Sequence, residues 1–303
     1  MNMWSGIRAS VPSGIYFVPD WTSQGPGWNQ QLVDGYFSYD MWPVGASNIS
    51  TDTDNAYKAT GASYMMGVSP WFFTDLPGYG KSWVWRGDGL WSQRWEQVLD
   101  VLPEFVEIVT WNDFGESHYI GPVYEPGTPQ GPDTDALRYV QGMDHTAWLE
   151  TLEYQIAAYK HAFDPSNAAP LVSEDKIVYW YRLHPASAGT TDATGNNCPS
   201  SVNKFPYQEC FPIPEVLEDA VFAIALLSTV GSISITIGDG AAQTFDGLHP
   251  GINFVSMPFG GQTGVVSVTS SSGVGGSGEE ILAAPADGKA NFNAWVGCAG
   301  ACS

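Results

Sequence analysis

Basic residues are scarce in this sequence: 11 Lys and Arg stand against 32 Asp and Glu, a formal net charge of −21. Nucleic acids and anionic membrane surfaces are held by Lys/Arg patches that displace counterions, so the deficit excludes both as partners. Charge of either sign is sparse, at 14% of residues, and the surface must rely on Ser, Thr, Asn, Gln and Gly. That excludes an acidic disordered chain. Long apolar runs are missing too. None approaches the roughly eighteen residues of a membrane-spanning helix. The start, MNMWSGIRAS, has no charged segment leading into an apolar one and does not read as a signal peptide. There is no CxxC or Cys/His spacing, and His118, His145, His161, His184 and His249 are scattered, so neither a metal site nor a cofactor is expected.

What is present supports a folded chain. With 303 residues and 44% hydrophobic content there is room for one large domain or two of ordinary size. Cys198, Cys210, Cys298 and Cys302 all lie in the last third, in Gly-, Pro- and Asn-rich surroundings. An even number there suggests disulfides and an oxidising, extracellular compartment. A Cys198–Cys210 bridge would contribute about 3 kcal/mol through loop closure; whether Cys298 and Cys302 bond is left open. Thirteen Trp and fourteen Tyr supply flat faces with polar edges, which suit a neutral ligand such as a sugar, although such residues more often pack cores.

Taken in order, residues 15–19 (IYFVP) read as a strand ending in Asp20 and Trp21, and Tyr36 to Tyr39 as another, followed by Asp40, Met41 and Trp42. Asp52 and Asp54 offer caps for a short helix at residues 55–60. SYMMGVSPWFF is a third apolar run. Trp91, Trp95, Val98, Leu99 and Leu102 then form one helical face that Pro103 ends. The run from Phe105 to Trp111 reads as a strand buried on both faces, the fourth strand-like unit, in the βα grammar of a parallel sheet. Residues 121–135 form a Pro/Gly-rich loop, and residues 146–163 a helix. Beyond residue 170, short β-branched runs indicate a β-sandwich, with a hairpin at Asp239-Gly240 and a flexible Ser/Gly loop from Ser270 to Gly278. The boundary is placed between an α/β unit at residues 1–168 and an all-β unit at residues 169–303.

The chemistry concentrates in residues 103–122, PEFVEIVTWNDFGESHYIGP, where Asp113 and Glu116 follow the strand. The carboxyl end of a parallel strand is where α/β folds place reactive groups. One reading makes Asn112-Asp113 a turn and Glu116 a solvated charge. The other uses the unequal desolvation of two neighbouring carboxyls to keep one protonated and one ionised, the division of labour that glycoside hydrolysis needs. Asp20 and Asp40 follow earlier strands and either orient sugar hydroxyls or cap turns. Trp42 and Trp71 are candidate stacking platforms, with core packing the alternative. Trp111, Asn112, His118 and Tyr119 complete the substrate-binding candidates, His118 holding a substrate hydroxyl or one of the carboxylates, with a hydrogen-bonded structural histidine the alternative.

YMMGVSPWFFTDL, KSWVWRGDGLWSQRWEQVL, EFVEIVTWNDFGESHYIGP and DKIVYWYRLHP strongly resemble segments of the fungal α-1,3-glucanases (mutanases) of glycoside hydrolase family 71. The resemblance covers residues 15 to about 185. It implies a (β/α)8 TIM-type barrel followed by a β-sandwich, and endo-hydrolysis of α-1,3-glucan in the cell wall with inversion. It also implies Asp113 and Glu116 as the catalytic carboxyls; we assign Glu116 as general acid and Asp113 as general base. Inversion asks for a separation of roughly 6.5–9.5 Å, which residues i and i+3 around a turn can meet. With four strand-like units in place of eight, the chain is expected to hold only the C-terminal half of the barrel. On that expectation the signal peptide is lost with the missing half, activity is weak or absent, and the open half barrel self-associates. The alternative function is a wall-polysaccharide-binding protein that does not cleave.

Overall fold

The computed structural model describes residues 3–302 as four sheets, one parallel, two antiparallel and one mixed, with helices packed against them. After helix α1 (Met3–Ala9), residues 15–19 do not form the expected strand. Their carbonyls accept from the next segment, Asp34 N and Gly35 N donating to Phe17 O and Phe37 N to Pro19 O, while Phe17 N donates to the Asp34 carboxylate and one bridge joins Asp20 to Phe37. Pro19 has no N–H to extend the ladder. Strand β1 (Gly35–Ser38) is followed by α2 (Asp52–Lys58) and β2 (Ser63–Val68). The run after β2 folds into a hairpin that periodicity did not foresee, β3 (Phe73–Leu76) and β4 (Lys81–Val84), turning at Pro77–Tyr79 through Gly80 in the left-handed region. Helix α3 (Leu90–Val101) buries Trp91, Trp95 and Val98, leaves Leu99 exposed, and ends at left-handed Leu102 before Pro103.

Strand β5 (Phe105–Ile108) pairs in parallel with β2, giving a three-stranded parallel sheet in the order β1-β2-β5. The expectation of a strand buried on both faces fails here. β5 is at the sheet edge among the described residues, Phe105 is 41% exposed and Glu107 is exposed. Asp54 does not cap α2 either. Its carboxylate receives a two-pronged ion pair from buried Arg94 on α3, at 2.9 and 3.1 Å, plus the Tyr64 hydroxyl, while Arg94 also donates to Gly67 O on β2. That network fastens both crossover helices to the central strand.

After short helix α4 (Leu137–Val140), the segment expected as one helix begins as a 3-10 turn, Thr146–Thr151, and continues as α5 (Leu152–Phe163). Trp148 is fully buried and Trp91 donates to Thr151 Oγ1, but Ile156 of the expected apolar stripe is exposed. No helix of the described residues is long and apolar enough to cross a membrane.

The remainder is largely antiparallel. Strands β6 (Lys176–Tyr181), β7 (Thr194–Gly195), β8 (Ala220–Leu227), β9 (Gly231–Ile237), β10 (Gln243–Leu248), β11 (Gly251–Pro258), β12 (Gly264–Ser270), β13 (Gly275–Ile281) and β14 (Trp295–Gly300) follow. Two four-stranded sheets run β11-β8-β6-β14 and β10-β9-β12-β13. Tyr179 and Ala223 of the first pack with Ile235 and Val268 of the second in one apolar cluster. The other face of β6 and β8, with Val178, Trp180 and Phe222, joins Trp91, Trp148 and Phe73 in a larger core. Burial on both faces explains the unbroken apolar runs of these two strands.

Apolar packing is therefore continuous across residue 168. The chain also crosses back: β7 pairs in parallel with β4, and Ser82 N donates to Asn203 Oδ1. The Ser270–Gly278 stretch is no flexible loop, since its second half starts β13, paired to β12 by backbone. The β9–β10 hairpin forms around Asp239-Gly240, although its ladder starts at Ile235 and Gln243, so the connection is longer than two residues. Both disulfides are present, Cys198–Cys210 and Cys298–Cys302, with Cα separations of 5.1 and 6.2 Å.

Candidate active site

Beyond β5 the chain leaves the sheet and doubles back on itself. Thr110 N donates to His118 O, and Ile120 N returns a bond to Thr110 O. Inside this loop Asp113 N donates to Thr110 Oγ1 at 2.9 Å, and Glu116 N donates to Asp113 Oδ1 at 3.1 Å. Phe73 N donates to Glu116 O, tying the loop to β3. The turn reading of Asn112-Asp113 and the functional reading are thus compatible, because the turn aims both carboxyls into one cavity of about 600 Å³ with Lys81, Tyr79 and Thr110.

The two carboxyls differ in their surroundings. Lys81 Nζ donates to Glu116 Oε1 at 2.5 Å, and His118 Nε2 lies 3.1 Å from Glu116 Oε2. Burial pushes the Glu116 pKa up, but hydrogen bonds and charge from His118 and Lys81 outweigh it and hold the carboxyl below the usual glutamate range. Asp113 moves the other way: desolvation raises its pKa and the Glu116 charge adds to the rise, against the pull of His118. Its side chain is still 42% exposed, so the shift is screened. These directions oppose the expected assignment of Glu116 as acid and Asp113 as base.

One ligand atom from each of Asp113, Glu116 and His118 lies within 4.8 Å of the others; this nearest-atom figure is a different quantity from the carboxyl-to-carboxyl separation of roughly 6.5–9.5 Å in an inverting pair. Among the described residues this is also the one group with metal-ligand geometry. Lys81 already supplies Glu116 with a positive charge at hydrogen-bonding distance, so a metal ion would have to compete with it.

A second cavity, about 470 Å³, holds Asp20, Asp40, Tyr39 and Trp42 together. Burial raises the pKa of the Tyr39 hydroxyl, and the charges of Glu116, Asp113 and Asp20 add to the rise; Trp42, which lines this cavity, has its ring centroid 5.5 Å from that of His118, the residue against Glu116, so the two cavities are neighbours. Asp20 accepts from Thr22 N and Oγ1 in a turn, and Asp40, raised by burial, accepts from Thr53. Trp111 is 58% exposed and Asn112 is exposed beside the pair.

Three expected substrate contacts, Trp71, Tyr119 and Trp42, are placed otherwise. Trp71 is fully buried with Nε1 donating to Phe292 O, and Tyr119 is fully buried with its hydroxyl bonded to Met143 O and its ring stacked on His145. Neither offers a face to a ligand. Trp42 is 5% exposed, its ring stacked on Trp85 and its Nε1 donating to Trp71 O, so it lines the cavity by an edge. His118 has no exposed surface and holds the Glu116 carboxylate, one of the two roles expected of it. Sequence reasoning missed Lys81, Thr110, Tyr39 and Trp85. Of these, Lys81 carried a signal, as one of only 11 basic residues and the first residue of KSWVWRGDG.

Comparison with known proteins completes the description. Glycosyl hydrolase family 71 matches residues 1–302. A glucan endo-1,3-alpha-glucosidase of Schizosaccharomyces pombe is 34% identical over 299 residues, 95% of this chain and 63% of that protein. A mutanase of Penicillium rubens is 31% identical over 251 residues, covering 78% and 51%. An ascus wall endo-1,3-alpha-glucanase of S. pombe is 30% identical over 189 residues, covering 59% and 42%. The chain spans about half the length of the curated relatives it matches.

Proposed function

The chain belongs to glycosyl hydrolase family 71, and from that premise we propose that it carries the acid–base machinery of an endo-acting α-1,3-glucanase directed at cell-wall glucan. The observation that carries this reading is the pairing of Asp113 with Glu116 in one cavity, with Glu116 clamped by Lys81 and His118. Asp113, raised in pKa, is the proton donor to the departing glycosidic oxygen; Glu116, held ionised, is the base that activates water. Asp20 and Asp40 bind sugar hydroxyls in the adjoining cavity, and Trp111 and Asn112 contact the sugar next to the scissile bond.

The β-α-β-α-β order of the parallel sheet supports reading residues 1–168 as part of a (β/α)8 barrel, with the loops after β1 and β5 at one mouth. The apolar cluster shared by the two antiparallel sheets supports a β-sandwich for residues 169–303. Two disulfides and the wall-directed name of one relative favour an extracellular or wall location.

A second reading, a protein that holds glucan without cleaving it, is favoured by the three-stranded parallel sheet, which among the described residues leaves β5 at an open edge. Incubating the 303-residue chain with insoluble α-1,3-glucan and following reducing sugar and pelleted protein separates the two. We expect binding with little sugar release from this chain, and release from a polypeptide extended to the relatives' length. Release from the extended form that survives both Asp113→Asn and Glu116→Gln would defeat the proposed machinery.

A further inference from the structure

We propose that the loop closed by Cys198–Cys210 forms a sugar subsite next to the carboxyl pair, with Tyr207 as its stacking face and the Gln208 amide as its hydroxyl-reading group. The inference rests on the α-1,3-glucanase reading and adds to it a wall that comes from the chain's other half. Tyr207 and Gln208 line the 470 Å³ cavity together with Asp20 and Asp40, a size within the usual range for small-ligand sites, about 300–1,000 Å³.

Gln208 is oriented. Its amide oxygen accepts from Trp85 Nε1 at 2.7 Å and from Asn197 N at 2.9 Å, which leaves the two amide N–H groups as donors on the cavity side. The loop beneath is fixed: Tyr207 N and Gln208 N both donate to Asn197 O, Asn203 bridges to Cys198 O and Ser82 N, and Cys198 is fully buried. Tyr207 is 70% exposed. Exposed aromatic area on a rigid loop suits the apolar face of a pyranose, while Trp42 and Trp85, at 5% and 6% exposure, have spent their faces on each other. Trp42, in the same cavity as Tyr207, has its ring centroid 5.5 Å from that of His118 beside Glu116, which puts the subsite next to the carboxyl pair.

The test is the affinity of the chain for α-1,3-linked glucohexaose by calorimetry. Tyr207→Ala is expected to weaken binding roughly fivefold to tenfold with an unchanged melting temperature, and Tyr207→Phe to retain it. Gln208→Glu keeps the oxygen that anchors Trp85 and removes the donors, and is expected to weaken binding comparably. Hexaose binding that both Tyr207→Ala and Gln208→Glu leave unchanged overturns the subsite and leaves the enzyme reading standing. If the unmodified chain binds α-1,4-linked glucohexaose as well as the α-1,3-linked form, or binds neither, the glucanase reading falls and the subsite with it.

A separate observation carries a modification site. Asn48-Ile49-Ser50 is the only Asn-x-Ser/Thr triplet in the sequence. It lies in the loop between β1 and α2 with Asn48 and Ser50 exposed, and Ile49 O is held by Gln93 and Gln97 of α3 at 3.1 and 2.7 Å. A bulky group on Asn48 therefore projects to solvent from a fixed backbone. The geometry points to N-glycosylation of Asn48 in the oxidising compartment that the two disulfides require. The donor is an oligosaccharide linked through pyrophosphate to a polyisoprenoid lipid. Asn48 Nδ2 bonds to the anomeric carbon, the carbon–oxygen bond to pyrophosphate breaks, the lipid pyrophosphate leaves with the electron pair, and the amide loses one proton. Expression in yeast behind a secretion leader, with mass spectrometry of the secreted and retained pools, is expected to show a glycan released by an endoglycosidase and lost in both Asn48→Gln and Ser50→Ala. Disulfide-bonded protein with an unmodified Asn48 peptide in both pools would overturn it.

Discussion

Lys81 Nζ, in the β3–β4 hairpin, sits 2.5 Å from Glu116 Oε1 in the loop after β5. Together with His118 it holds Glu116 below the usual glutamate range. A base with a depressed pKa is ionised from its folded pKa upward, so activity through Glu116 persists into acid and is lost as pH falls through that value. Lys81→Met should move the acid limb of the pH–rate profile upward by about one unit, an exposed ion pair giving the low end of the usual range. The loss should be concentrated at low pH and small near neutrality. A profile of kcat/KM against pH on soluble α-1,3-glucan oligosaccharides, taken with the extended polypeptide, checks it; a uniform loss at every pH would count against a role through Glu116.

Asp113 and Glu116 should be separable by leaving group. Asp113→Asn removes the proton donor and is expected to cost roughly 10²–10⁴ in rate on glucan. On an α-1,3-gluco-oligosaccharyl fluoride, whose leaving group needs no proton, most of that loss should vanish. Glu116→Gln should be equally damaging on both substrates. The opposite pattern would restore Glu116 as the acid.

How much of this was readable from residues alone depends on sequence distance. Asp113, Glu116 and His118 share one short loop, so their association follows from local chain geometry. Lys81 reaches Glu116 only because β3 and β4 form a hairpin, and Tyr207 and Gln208 reach Asp40 only because β7 pairs back onto β4. No periodicity encodes such contacts. Composition read β5 as doubly buried because apolar residues report what a strand could bury, not whether a neighbour covers it. Trp71 and Trp111 both border polar segments, and only the fold sends one against Phe292 O and the other to solvent. Gly and Ser concealed β13, which is held by backbone pairing and the single buried Ile281.

The Arg94–Asp54 pair should dominate the stability of the parallel sheet. Both side chains are at most 3% exposed, and Arg94 spans α3, α2 and β2. Removing one partner strands the other charge in the interior, which costs about 3–5 kcal/mol. Asp54→Ala and Arg94→Met are each expected to lower unfolding free energy by that amount in guanidinium titrations. The double substitution should cost clearly less than the sum, because it leaves no unpaired charge.

The stereochemical outcome turns on which carboxyl can move. Inversion, implied by the family resemblance, needs room for a water between the pair, and their nearest ligand oxygens lie within 4.8 Å of each other. Glu116 is tied at one oxygen to Lys81 and at the other to His118, and its backbone is pinned through Phe73 N. Asp113 accepts one hydrogen bond at Oδ1, from the Glu116 amide, its Oδ2 lies at a longer 3.8 Å from His118 Nε2, and its side chain is 42% exposed. Binding of glucan should therefore turn Asp113 outward about its side-chain torsion and open the gap while Glu116 stays in place. The first product seen by proton NMR in the extended polypeptide should then be the β-anomer. An initial α-anomer would mean that the pair works at its present spacing, with Glu116 attacking the sugar directly.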